Sequence, residues 1–89
     1  MKFKEKKVNI KGEEFLIREG TMEQMLPVLG KFADPEADKF QAQMDLLKLV
    51  VFKDDKLLGD EVGKLPSSFY MHILPAALEV CGMGDDESA

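Results

Sequence analysis

Residues 8–17 read VNIKGEEFLI and residues 21–32 read TMEQMLPVLGKF. In the first stretch Val8, Ile10, Phe15 and Ile17 alternate about Gly12, the period of two that a half-buried pair of strands requires. The second repeats at three and four through Met22, Met25, Leu26, Leu29 and Phe32, and opens on Thr21 and Gln24 at the spacing of a capping box. The change of period after Gly20 makes the fold class α+β, mainly α, with an N-terminal β-hairpin followed by helices. Pairing Ile10 with Phe15 and Val8 with Ile17 leaves Lys11, Gly12, Glu13 and Glu14 as the loop. A two-residue turn at Lys11 and Gly12 would place Ile10 opposite Glu13, so the longer loop is expected. A lone hairpin is marginal in water and must lie on helices or join a neighbouring subunit's sheet.

Three helices are expected, over about residues 21–33, 35–52 and 66–81. In the first, Pro27 projects to the polar side with Glu23, Gln24 and Lys31 and predicts a kink or local break, to which Gly30 adds looseness. Asp34 before Pro35 is the start signal of the second. Its primary stripe is Ala37, Phe40, Met44, Leu47 and Val51. A second stripe, Ala42, Leu46, Leu49 and Val50, lies on nearly the opposite side, more than one small core requires. Either the third helix or the hairpin covers it, or a subunit or client does.

Residues 53–64 read as a polar loop with Leu57, Leu58 and Val62 tucked inward. Pro66 opens the last helix and Gly82 stops it. There Phe69, Ile73, Ala76, Ala77 and Val80 run into Tyr70, Met71, Leu74, Leu78 and Cys81, leaving only a strip of Ser68, His72, Pro75 and Glu79. Such a helix is central to the core or shared with a partner. The candidate partner-binding residues are therefore Met44, Leu46, Leu49, Val50, Phe69, Ile73 and Leu78, and the surplus apolar faces predict a homo-oligomer.

Eighty-nine residues form one small domain, taken as residues 1–84, with an acidic tail at 85–89 expected to be disordered. With 45% hydrophobic and 33% charged residues the chain folds rather than staying unstructured. A net charge of −5 argues against a nucleic-acid partner. Lys2, Lys4, Lys6 and Lys7 face only Glu5 at the N-terminus, without an arginine or aromatic cluster, and serve to solubilise it and guard an edge strand. The single cysteine, Cys81, closes no internal disulfide, and with one histidine makes no structural zinc site, which points to the cytoplasm. No apolar run approaches the ~20 residues of a membrane span, and the Lys-rich start lacks a signal peptide's apolar stretch.

Few residues are placed for chemistry. Ser68 and His72 lie one helical turn apart and could hydrogen-bond, but nothing marks an orienting carboxylate or oxyanion donors. Cys81 is nine residues beyond His72, about 180° around the helix, too far for a nucleophile pair. Asp54, Asp55, Asp60 and Glu61 lack the alternating order of a calcium loop, and Lys56 would occupy a ligand position. No phosphate-binding or dinucleotide glycine pattern occurs. The expectation is a protein that is not an enzyme and needs no cofactor or metal.

The order VNIKGEEFLI as a hairpin, a Met/Leu-rich helix, a middle helix, then KDDKLLGDEVGKLPSSF leading into ILPAALEVCG resembles the tail assembly chaperones of long-tailed bacteriophages and prophages. The likeness covers nearly the whole chain. It rests on the Asp/Lys/Gly segment, the Leu65-Pro66 helix start and the ending Leu78-Glu79-Val80-Cys81-Gly82, where relatives often carry a polar residue in place of Cys81. The resemblance implies a non-enzymatic helper of the host bacterial cytoplasm, absent from the mature virion. It would coat apolar helical segments of the tape-measure protein and hand it to tail-tube subunits. Six methionines suit varied helical clients, because Met adapts its shape. The alternatives are a small acidic secretion-type chaperone, which would need a larger sheet than one hairpin, and an acidic regulatory or interaction protein, which would order its carboxylates along helices.

Overall fold

The computed structural model describes residues 3–82; the expectation of a disordered acidic tail at 85–89 lies outside them. The N-terminal hairpin forms from β1, Glu5–Ile10, and β2, Glu13–Arg18. Its register corrects the sequence reading. Ile10 stands opposite Glu13, Val8 opposite Phe15 and Lys6 opposite Ile17, so the loop is the two-residue turn Lys11-Gly12. Both turn residues have positive φ, 53° and 87°, the primed geometry whose twist matches that of the strands. The two registers differ by two residues, so either keeps Val8, Ile10, Phe15 and Ile17 on one face. Apolar alternation therefore leaves the choice open, and turn geometry makes it. Asn9 supports the turn by accepting the Gly12 N–H on Oδ1 at 3.2 Å.

The hairpin also gains two strands from its own chain. β3, Val51–Lys53, pairs antiparallel with β2, and β4, Lys56–Leu57, with β3, giving an antiparallel sheet in the order β1-β2-β3-β4. Asp54 and Asp55, both at positive φ, make the second tight turn. The expected middle helix to residue 52 thus ends at Val50, and Val51 is a fully buried strand residue. Three strand residues before a reversal satisfy the free edge of β2, which a longer helix would leave unpaired. The expected loop at 53–64 holds β4 and a 3-10 helix, Gly59–Lys64. Val62 is buried and Leu58 half-buried, but Leu57 is exposed on the outer face, where Phe52 faces it across the strands.

Helix α1, Met22–Ala33, has the expected capping box between Thr21 and Gln24. It runs unbroken through Pro27 and Gly30, both exposed, where a local break was expected. Helix α2, Lys39–Val50, starts four residues later than expected, with Asp38 as N-cap accepting the amides of Phe40 and Gln41. Asp34 instead ends α1 through its N–H and folds a turn by accepting the Glu36 amide. The reversal is fastened by Lys39, whose ammonium donates to the carbonyls of Lys31, Phe32 and Asp34, acceptors that a helix end leaves unpaired. Helix α3, Ser67–Val80, follows Pro66, and Gly82, at φ 73°, ends it as expected.

One face of β1 and β2 packs on α3, and α2 lies between α1, α3 and the 3-10 helix. The core joins Phe15 and Ile17 of the sheet to Leu46, Leu47 and Val50 of α2 and Phe69, Ile73 and Ala77 of α3. Phe15 and Phe69 meet edge to face, centroids 5.8 Å apart. Lys53 lies 5.0 Å over Phe15 and 3.4 Å from Glu13, covering one end of this face.

Candidate interaction surface

Of the seven candidate partner-binding residues, Leu46, Val50, Phe69 and Ile73 are in the monomer's core, and Met44, Leu49 and Leu78 are half-buried against it. Both stripes of α2 thus contribute to the core. Ala42, Leu46 and Val50, read as surplus, face the core completely, because α2 is covered from several sides. The primary stripe splits: Leu47 is buried, Met44 half-buried and Phe40 exposed.

Two recesses keep some of these side chains within reach. One, of about 250 Å³, lies between α2, the 3-10 helix and the start of α3, and is lined by Met44, Leu47, Leu65, Phe69, Tyr70 and Ile73 among others. Tyr70 donates its hydroxyl to Gln43 Oε1 beside it, tying α3 to α2. The other, of about 330 Å³, runs between α1 and α2 and brings Leu49 beside Pro27, Val28 and Lys31. Leu78 lies in neither.

The exposed apolar surface is elsewhere. Met22, Leu26 and Leu29 are 83%, 64% and 41% exposed, and Phe40 and Met71 are 76% and 71% exposed. At about 100° per residue, Met22, Leu26 and Leu29 form one row along α1, while Met25, Val28 and Phe32 form another about 90° away. Only the second meets the rest of the fold: Met25 and Val28 are buried and Phe32 is half-buried. By periodicity alone Met22, Met25, Leu26, Leu29 and Phe32 read as one stripe; its spread, wider than one helix contact uses, is the sign of two rows.

Polar contacts hold the surface in place. Lys31 on α1 pairs with Asp45 on α2 at 2.5 Å, and Gln41 donates to the same carboxylate. These hydrogen bonds, the lysine's first, hold the Asp45 carboxyl below its ordinary range. On the other side of the molecule Lys6 of β1 reaches Glu79 of α3 at 2.8 Å and lowers that carboxyl. Burial raises the Cys81 thiol to about 11, with the nearby Glu19 charge adding to it, so it stays protonated near neutrality and is a poor nucleophile. Ser68 and His72 are both exposed on the polar strip of α3. Among the described residues, no three His, Cys, Asp or Glu side chains are grouped to hold a metal ion. No helix among them is long and apolar enough to cross a membrane. No protein-family model matches the chain, and neither a curated protein nor a solved structure is significantly similar to it.

Proposed function

We propose that this chain is a non-enzymatic tail assembly chaperone of a long-tailed bacteriophage or prophage, acting in the host cytoplasm on apolar helical segments of the tape-measure protein. The observation that carries this reading is the exposed row Met22, Leu26 and Leu29 on a helix whose other row already anchors it. A monomer with a complete core has no need of such a row, and an amphipathic client helix can lay its own apolar side against it. Met44 and Leu49, in the two recesses, are the members of the original candidate set that such a client reaches with least rearrangement. Leu46, Val50, Phe69 and Ile73 then support the surface from behind.

Co-expression with the tape-measure protein tests this. The wild type should raise that protein's soluble yield, and Leu26→Asp with Leu29→Asp should abolish the rescue while helix content stays intact. No rescue by the wild type would defeat the proposed client; full rescue by the folded double variant would defeat the α1 surface. One observation favours the secretion-type alternative, since the sheet has four strands rather than the two of a hairpin. Gene neighbourhood separates the two: a tail-tube gene before this one and a very long tape-measure gene after it belong to the phage reading alone.

A further inference from the structure

The outer side of β1 is a free sheet edge: among the described residues, only β2 pairs with this strand. Which backbone groups face that edge follows from the ladder. The Glu19 N–H donates to the Lys4 carbonyl at 3.0 Å, continuing the register in which Lys6, Val8 and Ile10 stand opposite Ile17, Phe15 and Glu13. Antiparallel pairs alternate between bonded and non-bonded, so Lys4, Lys6, Val8 and Ile10 spend their backbone groups on β2. Glu5, Lys7 and Asn9 direct theirs outward, with side chains on the sheet face away from α3.

The geometry points to a second copy of this chain as the occupant of that edge, paired β1 to β1 about a two-fold axis at Lys6. Charge ranks the registers centred on Glu5, Lys6 and Lys7. An axis at Glu5 would set Glu5 against its symmetry mate, and an axis at Lys7 would set Lys7 against its own. The axis at Lys6 instead sets Glu5 opposite Lys7 of the second copy, and Lys7 opposite Glu5. Each chain already places Arg18 3.1 Å from Glu5 and Glu14 3.9 Å from Lys7. Across the seam the outer face would then read Arg18, Glu5, Lys7, Glu14, alternating in sign. The two Lys6 side chains that meet on the inner face each bring the Glu79 carboxylate at 2.8 Å as counter-charge. Lysines on an edge strand ordinarily deter pairing; with the axis at Lys6 the two Glu5–Lys7 pairs outnumber the one Lys6–Lys6 pair, whereas an axis at Glu5 or Lys7 brings like charges together with no such compensation. This association does not depend on the identity of the client.

Sedimentation of the full chain tests the idea through complementary charge reversals. The wild type should dimerise, and Lys7→Glu and Glu5→Lys should each weaken dimerisation by roughly tenfold or more, since each sets like charges opposite one another at two places. An equimolar mixture of the two variants should restore the dimer, because the two acidic side chains at positions 5 and 7 of one chain then face the two basic side chains at positions 7 and 5 of the other. A wild type that stays monomeric at high concentration, a dimer indifferent to both reversals, or a mixture that does not recover would each overturn the proposal. If either variant loses its helix content, amide exchange on the wild type decides. The amides of Glu5, Lys7 and Asn9 should become protected as concentration rises, and rapid exchange at every concentration would refute the pairing.

Discussion

The apolar rows of α1 and α2 follow the same helical periodicity and have opposite fates. Ala42, Leu46 and Val50 are completely buried, whereas Met22, Leu26 and Leu29 remain in solvent. The difference lies in position rather than composition. Helix α2 is packed against α1, α3 and the 3-10 helix, so an apolar residue on almost any side of it finds cover; α1 packs chiefly on α2 and has one covered side. Periodicity tells that a face is apolar, and only the assembled layers tell whether the chain itself covers it.

Core and periphery should therefore separate most widely under truncation. Leu46→Ala is expected to cost about 2–5 kcal/mol by the combined transfer and cavity terms, read as a fall in the urea midpoint. Leu26→Ala should stay within about 0.5 kcal/mol, as at other exposed positions. Leu46→Glu with Val50→Glu should unfold the chain, because burying unpaired charges costs several kcal/mol against a total stability of about 4–13 kcal/mol at this length. On the sequence reading alone, that pair would have dispersed an oligomer with its helices intact. Loss of helical circular dichroism is the outcome expected from the burial, and an intact, dispersed chain would break the comparison.

A turn supplies an intermediate case, where an exposed residue is constrained by conformation instead of contact. Nothing lies within 4 Å of a Cβ built at Gly12, yet its φ of 87° is one that side-chain-bearing residues rarely adopt. Gly12→Ala should therefore cost roughly 1–2 kcal/mol despite the open space. Lys11→Asn, which suits positive φ better, should be neutral or slightly stabilising. Cross-strand proton contacts from Val8 to Phe15, rather than to Ile17, would check the register directly.

The same cases show how far the sequence could be read. The hairpin, the capping box at Thr21, the Pro66 start and the Gly82 stop were legible because each depends on neighbours within a few residues. The end of α2 was not, since Leu49-Val50-Val51-Phe52 is apolar on both sides of the boundary and fits a buried helix or a buried strand equally. Asp54-Asp55 suits a tight reversal, but within the polar run 53–64 it reads equally well as loop. Asp34 and Asp38 both offer an N-cap. Asp38 is the cap in the fold, and Asp34 belongs to the turn that Lys39 fastens to the end of α1, a contact between elements that local sequence does not announce. For the surface, four of the seven candidates are covered by elements distant in sequence, and periodicity alone does not show which of two apolar stripes is covered.

The smallest effect concerns what clips α1 to α2. Lys31 hydrogen-bonds Asp45 and lowers its carboxyl below the ordinary value of 3.8. A lowered folded value means that the unfolded chain binds the proton first as pH falls. The ion pair's contribution is thus complete above the unfolded value and is lost as pH drops through the folded one. Asp45 is partly exposed and Lys31 more so, so the contribution at neutral pH should be below about 1 kcal/mol. Urea midpoints from pH 7 down to pH 2 should fall less steeply below pH 4 in Asp45→Asn than in the wild type. Part of the acid slope should survive, because Glu79, lowered by Lys6, lies on a different pair of elements and titrates independently. If Asp45→Asn instead costs more than about 2 kcal/mol at neutral pH, α1 is held mainly by charge. The buried row of Met25 and Val28 would then not be the anchor, and the exposed row of Met22, Leu26 and Leu29 would lose the rigid backing that its proposed role requires.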